Sequence, residues 1–428
     1  MSAGRWTGLL VVLALVAALL AGMRGAARRA PTAPDVQVLT VAHRSLETGF
    51  RRGLTAVVAS YEARHPGVKV EVIEVPGSVW AQWLITKLVG GMAPDLVQIG
   101  LPPGEGLSSQ AFDELLGRHF RPLRAEMTRP NPYAAGSAWA HVPWRQTFGD
   151  GLMWPPSYSL TNFEVYGIPF TTYTTRLVYN RALLQDITGR DEPPADYREF
   201  RALCDAIQTY ERRTGRPLVP IAAARNTGQE LMSTYFSSVT QWLRVELDPH
   251  RQFTLYPTDT LRAALGGGFG FDRPEVRAGL ELAREVGLHC TPGFTQLQRD
   301  SAVFQFVHGQ ALMMLGSPAD LATLREQTTF PIGVMRIPWP TADDPVYGRF
   351  VMGPIDESQG RLQNSFGVTQ GSPRAALAVD FLQYATSPEG ADVFARASGL
   401  LPSVTHVAVP DEVVSFWPEE AGYPPGLP

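Results

Sequence analysis

The chain has 428 residues, more than one hydrophobic core usually serves, so two domains are expected. Hydrophobic residues make up 44% and charged residues 18%, a globular balance that excludes a disordered chain. The net charge is -4 with no long basic run, which excludes a general nucleic-acid binder, since phosphates need a concentrated positive face.

Arg5 precedes an apolar run from Leu9 to Ala21, and small residues follow at Gly22 and Gly25-Ala-Ala27. A charged start, an apolar centre and a small-residue exit are the layout of a signal peptide. The run falls short of the roughly 20 apolar residues of a spanning helix. Arg24, Arg28 and Arg29 come after the run, where positive charge resists export, so an uncleaved anchor stays open beside cleavage. Leu20-Ala-Gly22 leads into Met23 rather than a cysteine, which excludes lipid attachment there. Residues 1–35 are therefore read as signal peptide or anchor plus a Pro/Ala linker, the one segment that would meet a membrane.

The next segments alternate between the two regular structures. Val36 to Ala42 is a β-rich apolar run. Leu54, Val57, Val58 and Tyr61 recur at helical spacing, and His65-Pro66-Gly67 stops the helix. Val68, Val70 and Val72 alternate with Lys69 and Glu71, which predicts a strand with one buried face. Trp80, Trp83, Leu84 and Leu88 mark a second helix ending at Gly90-Gly91, and Pro94 to Ile99 reads as a further strand. Strands alternating with helices at this spacing imply right-handed crossovers and a mainly parallel sheet.

Arg129 to Thr161 is rich in Pro, Trp, Tyr and Ser with little periodicity, and reads as loops over a surface cleft. Tyr166-Gly-Ile-Pro-Phe170 and Leu177-Val-Tyr-Asn180 read as strands flanking the segment Thr171-Thr-Tyr-Thr-Thr175. Tyr197 to Arg212 is helical, and within it Cys204 reads as a small buried hydrophobe. A disulfide between Cys204 and Cys290 stays open. Gly266 to Gly270 is a loop with no Lys-Ser/Thr pair after it, a poor phosphate cradle. Ala311 to Leu315 is wholly apolar and predicts a buried strand. Ala375 to Ala397 reads as two helices broken at Pro388, with Gly399 as the stop.

The order and wording of these segments resemble the extracellular solute-binding proteins of ABC importers that include the maltose-binding protein. The resemblance rests on Tyr61-Glu-Ala-Arg-His-Pro-Gly67 before Val68-Lys-Val-Glu-Val72, on Gly91-Met-Ala-Pro-Asp-Leu-Val97, and on Tyr166 to Phe170 followed by Leu177 to Arg181. It continues through Phe306-Val-His-Gly-Gln-Ala-Leu-Met-Met313, Ser387-Pro-Glu-Gly390 and Gly399-Leu-Leu-Pro-Ser403. It implies an α/β fold of the type II periplasmic-binding-protein kind, two lobes joined by a hinge with a ligand between them. The implied division puts 36–120 plus 339–400 in lobe 1 and 121–338 plus 401–428 in lobe 2, with crossings near Arg121 to Arg124 and Arg336 to Pro338. It also implies a sugar or other small solute as ligand and ABC permease subunits as partners.

Candidate ligand contacts are judged against the simpler role of packing. Trp80 opens its helix and is a candidate for the cleft, while Trp83 beside it is read as core. Trp139, Trp144 and Trp154 lie in aperiodic sequence, where a core role is harder to build. Tyr173 and Thr172 belong to a hydroxyl-rich segment suited to a polyol. His43, Arg44 and Ser45 follow the first strand, Asn364, Ser365 and Phe366 open a late one, and Ser317 follows the apolar strand in place of the aromatic that maltose-type proteins carry near there.

No catalytic pattern is present. There is no Gly-x-Ser-x-Gly elbow and no His-Glu-x-x-His, and His289 and Cys290 are adjacent rather than at ligand spacing. No cofactor, metal or nucleic-acid partner is expected. Other ligands on the same fold (polyamine, anion, metal or peptide) and a membrane-anchored sensor or adhesion ectodomain are the alternative readings.

Overall fold

The computed structural model describes residues 36–427 except 46–47, 101–108, 155, 160, 249–254, 256, 359–360, 406, 412 and 420–421. The N-terminal segment read as signal peptide or anchor therefore lies outside the described residues. Among the described residues no helix is long and apolar enough to cross a membrane.

The first lobe starts as the periodicities predict: β1 (Gln37–Arg44), α1 (Thr48–Arg64), β2 (Val68–Val75), α2 (Trp80–Val89), β3 (Leu96–Gln98) and α3 (Ser109–His119). An irregular stretch leads to β4 (Ile168–Thr172). Three residues later β5 (Arg176–Asn180) opens the second lobe. It continues with α4 (Arg181–Thr188), α5 (Tyr197–Thr214), β6 (Val219–Ala222), α6 (Arg225–Ser238) and α7 (Gln241–Leu247). Then come α8 (Pro257–Leu265), α9 (Pro274–Leu288), α10 (Arg299–Val307), β7 (Ala311–Gly316), α11 (Pro318–Gln327) and β8 (Ile332–Met335). The chain returns as β9 (Leu362–Val368), α12 (Ala375–Ala385) and α13 (Pro388–Ser398), which Gly399 ends at φ 68°.

One sheet has the order β2-β1-β3-β9-β4, the other β8-β5-β7-β6. In the first, β1 lies parallel to both β2 and β3, and only β9 runs against the rest. Parallel neighbours need a crossover, and α1 and α2 supply it. β2 is an edge strand. Val70 and Val75 are buried but Val72 is exposed, so the single buried face expected there is only partly formed. α1 lies against α13 at close range: a Cβ on Gly53 would stand 2.7 Å from the Phe394 ring.

The lobe boundaries differ from those the resemblance implies. β4 pairs with β9 in the first sheet, Thr172 opposite Leu362 and Ile168 opposite Phe366, so residues 121–172 belong to lobe 1. The aromatic stretch is not a set of loops over a cleft. Trp139, Trp144, Phe148 and Tyr158 are buried in the same core as Leu39, Phe50 and Phe366. Ile337, Tyr347 and Phe350 stay in the core of the second sheet, so the return lies at Leu362 rather than near Arg336. Val404 and Val407 then pack on the first core, while Val413 and Phe416 pack on the second, which makes a third crossing. Both cysteines are buried free thiols, and burial pushes Cys290 up to about 12.

Candidate ligand-binding cleft

The two sheets meet where three chain segments cross, and the local sequence explains how they are tied. Thr172 Oγ1 donates to the carbonyl of Pro402 at 2.9 Å, and Thr174 Oγ1 donates to that of Phe416. The threonine-rich segment therefore spends these hydroxyl protons on the tail, whose carbonyls need donors where they run past the crossing. Beside them Arg176, almost wholly buried, forms a two-pronged pair with Glu357, each contact 2.7 Å. Its remaining N–H groups donate to the carbonyls of Thr175, Ser415 and Trp417, so all five guanidinium donors are used. Burial lowers the Arg176 pKa, and the Glu357 charge opposes that shift.

Around this crossing lie two cavities, of about 60 and 580 Å³, that share Tyr173, Ser317, Pro318 and Ala319. The larger is within the roughly 300–1,000 Å³ usual for small-molecule sites. Lobe 1 contributes Arg44 from the end of β1, Arg52 from the first turns of α1, Asn364 from β9, and Leu400. Lobe 2 contributes Ser317 and Pro318 at the start of α11, with Arg299 and Asp320. The walls are the carboxyl end of β1, the carboxyl end of β7 and the crossing itself, the place where open sheets leave side chains unpaired by the ladder.

The cleft thus gathers Arg44, Thr172, Tyr173, Ser317 and Asn364 from the expected residues. Asn364 has φ 55°, a left-handed backbone that Asn tolerates better than most residues. Its amide accepts from Gln98 Nε2 at 3.1 Å and donates to Thr171 Oγ1 at 2.9 Å, which aims the strand end into the cavity. Ser317 Oγ bonds Asp320 Oδ2 at 2.7 Å and caps α11. Ser45 is exposed next to Arg44, but it does not line the two cavities.

Four expected contacts are corrected. Trp80 is fully buried and stacks on Trp83, with ring centroids 5.4 Å apart. Trp144 is fully buried, its Nε1 donating to Thr386 Oγ1 at 3.0 Å. Phe366 stacks on Phe50 in the first core, and Ser365 is buried with its hydroxyl on Ser157 at 2.7 Å. Aromatic side chains in aperiodic sequence found a core because the sheet's second face needed covering. Of the other candidates, Trp139 is core and His43 is buried, which lowers its pKa. Trp154 carries the Arg244 guanidinium 5.4 Å above its ring, a contact from the lobe 1 stretch to α7 of lobe 2.

Arg52, Arg299, Gln363 and Leu400 went unnoticed in the sequence. Arg52 sits on an amphipathic helix where an exposed arginine is ordinary, and nothing local sets it apart. Among the described residues no group of three or more His, Cys, Asp or Glu is placed to hold a metal ion.

Comparison with known proteins agrees with this architecture. A search of curated proteins finds no match. Among solved structures, apo RafE of Streptococcus pneumoniae superposes with a TM-score of 0.61 at 16% identity, over 90% of this chain and 87% of that one. The GacH receptor of Streptomyces glaucescens, solved unliganded and with acarbose, gives 0.55 at 16% identity, over 89% and 82%. The bacterial solute receptor AcbH, described as preferring β-D-galactopyranose, gives 0.58 at 16%, over 88% and 82%. The family model for bacterial extracellular solute-binding proteins matches residues 56–419, and the chain belongs to that family.

Proposed function

We propose that this chain captures a carbohydrate between its lobes outside the cytoplasm and hands it to the permease subunits of an ABC importer, with no chemistry of its own. The observation that carries the reading is the polar cleft at the lobe crossing. Tyr173 lines both of its cavities, and Asn364, Gln363, Thr171 and Ser317 surround them with amide and hydroxyl groups. A sugar ring has an apolar C–H face, which an aromatic ring covers, and a hydroxyl rim, which amides and hydroxyls pair with. The neighbours whose descriptions name sugars share the fold, which supports the class of ligand. The apolar N-terminal run serves as export signal or anchor in this reading.

A ligand that touches both lobes binds the closed arrangement better and shifts the population toward it. A thermal-shift screen across sugars should find a ligand that raises the midpoint by mass action. Small-angle scattering with that ligand should show a smaller radius of gyration. A saturating ligand that leaves the radius unchanged would count against lobe closure.

A further inference from the structure

We infer that the ligand is an acidic saccharide, one carrying a carboxylate or phosphate group. This rests on the carbohydrate reading above and narrows it. The two adjoining cavities are lined by three arginines, Arg44, Arg52 and Arg299, and one carboxylate, Asp320. Asp320 is already engaged: Arg299 Nη2 lies 2.6 Å from Oδ1, and the backbone N–H and hydroxyl of Ser317 both reach Oδ2 at 2.7 Å. That pair cancels its own charge. Arg44 and Arg52 have no hydrogen-bonding or ion-pairing partner for their guanidinium groups among the described residues. The Arg44 main chain is fixed by Gln98, whose Oε1 accepts from its N–H at 3.0 Å. Glu230 stands in a separate cavity with Arg361 and does not line these two.

Arg44 is half-buried and faces a cavity with no carboxylate among its described lining residues, so its guanidinium is poorly solvated on one side and attracts an anion there, while the exposed Arg52 adds positive charge at the rim of the adjoining cavity. Its planar fork matches the two oxygens of a carboxylate or phosphate, which a neutral hydroxyl cannot do. Arg44 and Arg52 both stand on lobe 1, while Ser317 and Arg299 face them from lobe 2. An acidic sugar bound here would place its charge on the lobe 1 wall and its hydroxyls toward Tyr173 and Ser317.

The test is calorimetric titration of the full chain with matched pairs: galactose against galacturonate, their dimers, and glucose against glucose 6-phosphate. One acidic member should bind at least tenfold tighter than its neutral partner. The carboxylate and phosphate arms tell the two sources apart. The preference should shrink with added salt, and Arg44→Gln or Arg52→Gln should each remove most of it while the unliganded melting point holds. Neutral sugars binding as well as their acidic partners would overturn the acidic reading and leave the carbohydrate one standing. Binding of a peptide or polyamine without any saccharide, or no binding by any saccharide, would overturn both.

Discussion

Replacing Glu357 by Gln isolates the strongest electrostatic element at the lobe crossing. The wild-type pair is buried on both sides, and the two-pronged contact gives Arg176 its only opposite charge at contact distance among the described residues. Glu357 Oε2 also accepts the backbone N–H of Glu419 at 2.9 Å, so the same carboxylate holds the tail. Glutamine keeps the size and one acceptor but leaves the guanidinium charge buried without a counter-charge. Breaking a buried pair in this way costs about 3–5 kcal/mol. At an unfolding entropy of about 2 cal/mol/K per residue, that lowers the melting midpoint by about 3–6 °C for a chain this long. Calorimetry on wild type and Glu357→Gln gives the loss. A double variant, Arg176→Met with Glu357→Leu, should recover only part of it, because the carbonyls of Thr175, Ser415 and Trp417 then lose their donors. A Glu357→Gln midpoint within a degree of wild type would refute the claim that this pair ties the three crossings together.

Tyr173→Ala should weaken ligand affinity roughly ten- to a hundredfold, from lost ring packing and one hydrogen bond; unchanged affinity with a sharply lowered melting point would instead make Tyr173 a packing residue. Trp144→Ala should do the reverse, costing about 3–5 kcal/mol in a denaturant titration with affinity held, since its ring fills the first core and its N–H is spent on Thr386. Burial raises the Asp150 carboxyl to about 6, so between about pH 4 and pH 6 the folded chain holds a proton that the unfolded chain has released. Stability therefore falls as pH rises through that window, and Asp150→Asn should remove that part of the slope and gain about 2–3 kcal/mol above it. Parallel stability profiles for the two proteins from pH 4 to 7 would contradict this.

Local pattern was enough for the first elements of lobe 1 and for α5, β7, α12 and α13. The spacing of Leu54, Val57 and Tyr61 makes one apolar helix face, and Gly399 stops α13 because it alone adopts the left-handed cap without cost. The apolar run Ala311–Gly316 is buried throughout, as a central strand covered on both faces must be. Part of the candidate cleft was legible. Arg44, Tyr173, Ser317 and Asn364 stand at strand ends or at the crossing, positions that follow from element order.

What a strand or aromatic meets was decided by tertiary structure. Ile168-Pro-Phe170 is apolar, and nothing local says which sheet it joins; pairing with Leu362–Val368 placed it in lobe 1. Trp80 and Trp144 have the same composition whether they face a ligand or a core, and here the core's open faces took them. Thr172 looked like a ligand donor until the tail brought the Pro402 carbonyl within reach of its hydroxyl. Arg176 and Glu357 lie 181 positions apart. Periodicity along a chain records which face of an element is apolar, but a contact across such a separation depends on the path of everything between, and leaves no trace in either residue's neighbours.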